Sequence, residues 1–320
     1  MIGIDIGEGF MEQELVSVII PTYKRNDTLK RAIESALRQT YKNIEIIVVD
    51  DNANFPDIRE KNRELVAHYS NIRFFENETN LGGGLTRNVG ISKALGDYLA
   101  FLDDDDEFLP EKIEKQYELY KTLKNDNVAM IYCYANMINT DGTTEVLMKN
   151  YEGTPLYENV CSCIAATSWW FCPKEKLLSV GGFEDISSRQ DASLLVKLLA
   201  RGYEIYRVPE VLLNYYWHDA ASGISKNDHK TVEAEKKYRD IFLQVSKGLS
   251  EDLKNRVLAI FSFRIAMQYI LIGDRKAALL EYKNMLMYRP SRKMKVRTLF
   301  GIVFNNAYRG ISKVKNRRRS

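Results

Sequence analysis

A chain of 320 residues and 37.0 kDa has room for one large domain or a medium domain with an appendage. Its 45% hydrophobic and 28% charged content excludes disorder, collagen-like repeats and a disulfide scaffold. The net charge of +3 conceals an asymmetry: residues 282–320 hold twelve Lys or Arg and no acid, leaving the first 281 residues with 34 bases against 43 acids, a net −9. So acidic a body argues against nucleic-acid binding.

The opening MIGIDIGEGF carries Asp5 and Glu8 where a secretory leader carries Lys or Arg, so no exported leader is expected, and Met11 is a candidate native start. Residues 1–14 read as an N-terminal extension. From Leu15 short apolar runs alternate with amphipathic stretches, the pattern of strands joined by helices in a mostly parallel sheet. Val16 to Pro21, Ile44 to Val49, Ile72 to Glu76 and Tyr98 to Leu102 are β-branched or aromatic and bounded by turn residues, which predicts four strands. Between them Thr28 to Gln39, Asp57 to Tyr69 and Leu85 to Leu95 have helical spacing of apolar residues.

Further on the order becomes irregular. A strand-like MIYCYANMI precedes a polar TDGTT loop and a Trp-rich stretch, then a helix is expected from Asp191 to Arg201, with two strands near Glu204 to Val208 and Leu212 to Trp217. The α/β part is bounded at residues 15–222. Residues 223–320 read as helical, with Phe261 to Ile272 and Arg275 to Tyr288 joined by Gly273-Asp274 into a hairpin resembling one tetratricopeptide unit. That hairpin is expected to pack on the main domain or on a second subunit, so a homo-oligomer is an open partner. Val257 to Ile272 is interrupted by Arg264 and Gln268 short of the roughly 18 uncharged residues a spanning helix needs, so no transmembrane anchor is expected. Cys133, Cys161, Cys163 and Cys172 fit neither a metal site nor a disulfide framework and read as reduced cytosolic thiols.

In open α/β sheets ligands gather beyond the carboxyl ends of the strands. After VSVIIP comes Thr22-Tyr23-Lys24-Arg25, after IEIIVV comes Asp50-Asp51, and after YLAFL comes Asp103-Asp104-Asp105-Asp106-Glu107. Such an acidic run is either a solvated loop or, converging with the Asp50-Asp51 pair on one crevice, a site for a hard divalent cation and a diphosphate. Gly82-Gly83-Gly84 matches neither GxGxxG nor GxxxxGK[ST], which excludes a P-loop and weakens a dinucleotide reading.

These blocks resemble the GT-A-fold glycosyltransferases of family 2. The resemblance runs through VSVIIPTYKR (Val16 to Arg25), VVDD (Val48 to Asp51), NLGGGLTRNVGI (Asn80 to Ile91), FLDDDD (Phe101 to Asp106) and Gly181-Gly182-Phe183 followed by Gln190-Asp191 and Gly202-Tyr203, covering roughly residues 15–220. It implies an inverting, metal-dependent transferase that moves a sugar from a nucleoside-diphosphate sugar, UDP-linked by expectation, to a hydroxyl of a glycan, lipid-linked or protein-linked acceptor. The cofactor implied is Mn²⁺ or Mg²⁺.

By this resemblance Asp105 is the direct metal ligand, Asp103 lies on the ribose side and Asp104 beside them. Asp51, backed by Asp50, faces the nucleotide base in a pocket lined by Pro21, Thr22, Tyr23 and Arg25, and Arg87 lies near the donor. Asp191 is expected to be the base that takes the acceptor proton, or else a helix N-cap. His218 is either a further metal ligand or structural. Gly181 and Gly182 belong to the acceptor side, where Trp169 and Trp170 either stack on a sugar ring or belong to the core. The Gln-x-x-Arg-Trp motif and spans of processive members are absent, which favours single additions.

The segment Arg292 to Arg319 interleaves bases with Leu299, Phe300, Ile302, Val303 and Phe304, a composition that suits an interfacial helix on anionic lipid over residues 290–320, or a solvated terminus. The expected location is cytoplasmic, peripheral at the inner face of the cell membrane. A binding module of the same fold without turnover is the alternative function.

Overall fold

The structure, a computed structural model, describes residues 14–217 and 229–305. Met11, His218 and the bases from Arg309 to Arg319 lie outside the described residues.

The first half follows the predicted alternation: β1 (Val16–Thr22), α1 (Asn26–Leu37), β2 (Ile44–Asp50), α2 (Pro56–Ala67), β3 (Ile72–Glu76), α3 (Gly83–Lys93) and β4 (Tyr98–Phe101). The strands pair in parallel in the order β3-β2-β1-β4. β1 is apolar at nearly every position because helices cover both faces, and Val16, Val18, Ile19 and Ile20 are all buried. Helix α1 buries Leu29, Ala32, Ile33 and Ala36, an i, i+3, i+4, i+7 stripe. Gly90 of α3 is pressed against β1, and a β-carbon there would lie 2.4 Å from Ile19.

The second half is mixed. It comprises β5 (Glu107–Phe108), α4 (Lys112–Leu123), β6 (Val128–Ile138), β7 (Thr144–Leu147), α5 (Leu156–Cys161), β8 (Phe171–Pro173), α6 (Lys174–Ser179), α7 (Gln190–Ala200) and β9 (Glu204–Tyr216). The sheet continues β4-β8-β6-β9-β5, with β8 antiparallel to both neighbours, β9 parallel to β6, and β7 paired to β6. The two strands expected at 204–208 and 212–217 are one strand. Cys133 pairs with Val208 and Tyr134 with Val211, so Pro209 and Glu210 form a bulge that absorbs the proline's missing N–H. The Trp-rich stretch supplies the unforeseen β8.

The C-terminal part is helical as expected: α8 (His229–Val245), α9 (Glu251–Ile272), α10 (Arg275–Met287) and α11 (Arg292–Val303). Ser250 caps α9 by accepting from Leu253 N, and Asp274 caps α10 by accepting from Ala277 N at 2.9 Å. Gly273, at φ +95, closes α9 as only glycine does without strain. Tyr238, Phe242, Val257, Leu258 and Phe261 belong to the same apolar core as the sheet. By length and composition α9 could cross a membrane, but Val257, Phe261, Ile265 and Ile270 are buried within the chain and Arg264 donates to Val160 O at 2.8 Å. It serves here as a core helix.

One buried cation marks the centre of this core. Lys112 Nζ donates to Gln116 Oε1 at 2.7 Å and Trp170 O at 3.3 Å and lies 4.2 Å above the Phe108 ring, with no carboxylate among these partners. Burial pushes its pKa down from 10.5 to about 8. Below pH 8 both folded and unfolded chains carry the proton, and the folded state bears the full desolvation cost. As pH rises from about 8 towards 10.5 the folded lysine loses its proton while the unfolded one keeps it, so stability increases, by up to about 1.4 kcal/mol per pH unit. Denaturant unfolding at pH 7 and pH 9.5 should show this increase relative to Lys112→Met, and parallel pH dependence in the two proteins would refute it.

Candidate active site

Because β1, β2 and β4 run parallel, their carboxyl ends meet at one edge, and the order 3-2-1-4 reverses direction between β1 and β4. The crevice at that switch point brings the first and fourth strand ends together. Pro21 and Thr22 pair with Val49 and Asp50 at the end of β1, and Tyr23 N donates to Asp104 Oδ2 at 3.1 Å. Half-exposed Tyr23 packs edge-on against Phe55 at 5.8 Å, with Lys24 Nζ 4.1 Å above the Phe55 ring. This offers an aromatic and cationic lip to the crevice.

The Asp50-Asp51 pair is held by donors from the loops around it. Asp50 accepts from Asn52 N, Asn52 Nδ2, Arg59 Nε and Asn62 Nδ2 at 2.8–3.0 Å. Asp51 accepts from Asn77 Nδ2, Asn80 Nδ2, Leu81 N and Gly82 N at 2.8–2.9 Å. Four donors use the roughly four lone-pair positions of a carboxylate. Asp50 thus pins the loop after β2 to α2, and Asp51 pins the loop before α3.

The acidic run after β4 is relieved by guanidinium groups distant in sequence. Arg25 pairs closely with Asp105 and lies 3.5 Å from Asp104. Arg31 donates to the Asp105 carbonyl and stacks 3.7 Å over Tyr216. Arg87 pairs closely with Asp103. Relief is incomplete. Burial raises Asp104 to about 6 against the lowering pull of Arg25 and the Thr22 hydroxyl. Burial, then the Asp103 charge, raises Asp106 to about 8, partly offset by Ser168 and the Tyr216 N–H.

Asp103, Asp105 and Asp106 can each place a carboxylate oxygen within 4.8 Å of the others. One buried Asp106 oxygen has no donor at bonding geometry. An all-oxygen cluster with an unsatisfied buried anion fits a hard divalent cation of the Mg²⁺ or Mn²⁺ class. Asp106 was not singled out in the sequence, although it is the fourth Asp of the run. Asp104 stands apart, held by Tyr23 and Arg25.

Opposite this cluster lies the first turn of α7. Asp191 is its second residue, not its N-cap, which is Arg189. Its carboxylate accepts from Ala192 N at 2.7 Å and from the Cys163 thiol at 3.4 Å. The preceding Gln190 was overlooked as a site residue. Its Oε1 accepts from Arg87 Nη1 at 3.0 Å, so Arg87 ties the acidic strand end to the turn that carries Asp191. The glycine run allows this contact: a β-carbon on Gly83 would lie 3.0 Å from Gln190 Oε1, and one on Gly84 would lie 2.9 Å from Glu184 O. Tyr215 is a second residue that sequence alone did not mark. Burial raises its phenol, and the Asp106, Asp103 and Asp191 charges raise it further.

Trp169 and Trp170 are core residues. Both are buried, and Trp170 stacks on Phe183 at 6.2 Å and meets Phe101 edge-on at 6.4 Å, so neither ring face is open to a sugar. Gly181 and Gly182 form a left-handed turn. Asn88 grips Phe183 through both its N–H and its carbonyl, and a β-carbon on Gly182 would come 2.5 Å from Asn88 Oδ1. Their role is to dock the segment before α7 on α3.

A Rossmann-like sheet with a carboxylate cluster at its switch point defines the GT-A class of glycosyltransferase. Residues 17–172 match the family model described as Glycosyl transferase family 2. An uncharacterized glycosyltransferase of Haemophilus influenzae is 30% identical over 271 residues, 82% of this chain and 87% of that protein. One of Methanocaldococcus jannaschii is 30% identical over 211 residues, 65% and 72% of the two chains. The chain belongs to glycosyltransferase family 2 and is an enzyme of that kind. The solved structure of S. aureus TarS matches over 89% of this chain and 52% of its own, with TM-score 0.64 at 18% identity. That of TarS 1-349 in complex with UDP-GlcNAc matches over 86% and 91%, with TM-score 0.58 at 16% identity. These share the fold.

The elevated Asp106 has a consequence for stability. An acid whose folded pKa lies above its unfolded 3.8 binds a proton more tightly when folded, so stability is highest below about pH 4 and falls as pH rises towards 8. Asp106→Asn mimics the protonated form. In metal-free buffer it should melt higher than wild type, with a gap that widens from pH 5 to pH 8 to a few kcal/mol. A gap that stays constant or reverses would show that the carboxylate is not strained.

Proposed function

We propose that this enzyme transfers one sugar, with inversion, from a UDP-sugar to a hydroxyl of a glycan, lipid-linked or protein-linked acceptor in cell-surface glycoconjugate synthesis, using Mn²⁺ or Mg²⁺. The observation that carries this reading is the Asp103-Asp105-Asp106 cluster joined through Arg87 to the turn bearing Asp191. The TarS neighbour solved with UDP-GlcNAc supports a uridine diphosphate donor.

Asp103, Asp105 and Asp106 would hold the ion, which when bound neutralises charge on the diphosphate. Arg25 and Arg87 stand beside the same carboxylates and add positive charge where the diphosphate departs. The acceptor oxygen bonds to the anomeric carbon as the bond from that carbon to the phosphate oxygen breaks, its electron pair leaving with the diphosphate. Asp191 takes the acceptor hydroxyl proton. It is carried by the first turn of α7, where the preceding residue, Gln190, is tied through Arg87 to the acidic strand end. A single carboxylate acting on the acceptor suits a one-step displacement with inversion.

A thermal-shift panel of UDP-, GDP- and dTDP-sugars with and without Mn²⁺ tests the reading. Stabilisation is expected from a UDP-sugar and should depend on the ion. Asp105→Asn should abolish the ion-dependent part, whereas Asp191→Asn should keep donor binding and lower kcat by about 10²–10⁴. Full turnover in Asp191→Asn would remove it as the base, and no shift with any donor would remove the donor assignment.

A further inference from the structure

Helix α11 is built inside out. Its face towards α9 sets small or polar residues beside Ile302: Thr298, Gly301 and Asn305 are buried, a β-carbon on Gly301 would lie 2.8 Å from Ile270, and the Asn305 amide donates to Ile270 O at 2.9 Å. Its outward face carries Val296, Leu299, Phe300, Val303 and Phe304, the i, i+3, i+4, i+7, i+8 spacing of a single stripe. Each is at least 45% exposed. A helix facing water alone would have the opposite arrangement, since burial of large apolar side chains is what drives packing. Helix α10 repeats the feature, with Leu280 and Met287 more than 60% exposed.

The charges on this surface have one sign. Arg292, Lys293, Lys295 and Arg297 are the only ionisable residues of α11, and α10 adds exposed Arg275, Lys276 and Lys283. The only acid between residues 275 and 320 is Glu281, which is buried and paired with Arg239. A second copy of the chain meeting this face would set cation against cation. At 12 residues α11 is too short to span a bilayer, which takes roughly 20.

We infer that the α10–α11 surface lies on an anionic lipid bilayer, with the apolar stripe at the acyl boundary and the bases among the headgroups. Residues 306–320 add Arg309, Lys313, Lys315, Arg317, Arg318 and Arg319 and no acid. The inference is independent of donor and acceptor identity, and vesicle partition reads it without turnover.

Sedimentation of the full chain with phosphatidylglycerol-rich vesicles and with pure phosphatidylcholine vesicles tests it. Partition into the anionic vesicles is expected, weakening as salt rises, with each α11 base changed to Gln costing about fivefold. Phe300→Glu with Phe304→Glu should lower partition roughly tenfold or more, and because both side chains are exposed the melting temperature should stay at the wild-type value. Equal binding to both vesicle types, or unchanged binding of the Phe variant, would overturn the inference. So would a wild-type dimer in light scattering that the Phe variant converts to monomer, since a second copy would then be the occupant. If the Phe variant misfolds, the Gln set decides, because it leaves the apolar surface intact.

Discussion

Four consecutive aspartates at the end of one buried strand repel one another, and the structure around them is organised to hold that repulsion. Each meets a different compensation. Asp103 has Arg87, Asp104 has the Tyr23 amide, Asp105 has Arg25, and Asp106 has the Tyr216 amide with one oxygen left over. These partners come from the β1–α1 loop, α3 and β9, so the charged edge staples together parts of the chain that the sheet alone would only bring near. The residual strain, seen in the raised Asp104 and Asp106, is stability given up to keep the Asp103, Asp105 and Asp106 oxygens within 4.8 Å of one another.

The frame beneath is chosen to be rigid. The loop before α3 is fixed by the saturated carboxylate of Asp51, the loop after β2 by that of Asp50, and glycines at 83 and 84 let the segment before α7 lie against α3 with almost no gap. A charge cluster in a soft loop would spread apart. Here its neighbours already spend their hydrogen-bonding capacity, so the aspartates stay crowded.

Much of this was legible in the sequence because the information is local. Each β-branched run ends in polar residues, and the rule that ligands gather at carboxyl ends of parallel strands places Thr22, Asp50 and Asp103 on one edge. What escaped depends on distant contacts. Phe171 to Pro173 forms a strand by pairing between β4 and β6, and the two strands expected at 204–208 and 212–217 are one, β9, that runs on through a bulge at Pro209. Arg31 and Tyr215 carry no motif of their own and enter the site by packing, and Gln190 stands beside Asp191 in the sequence without its contact to Arg87 being legible. Trp169 and Trp170 look like sugar platforms by composition, yet core residues of the same type have the same signature. Asp51 was identified as a site residue, but its four donors lie up to 31 residues away and cannot be read from a dipeptide.

The C-terminal helices reach the same site from behind. Arg189, the residue before Gln190 and Asp191, sits in the left-handed region at φ +67, a conformation costly for a side chain of its size. It is held there by Glu235 of α8, whose buried carboxylate is shared with Arg264 of α9. Tyr238 of α8 adds a hydrogen bond to Ala192 O at 3.1 Å. An ion pair to a buried carboxylate adds little net stability, because desolvation offsets attraction, but it fixes geometry. The turn that presents Asp191 is therefore set by residues 235, 238 and 264 as much as by its own sequence, which makes the helical region a structural part of the wall that carries Asp191.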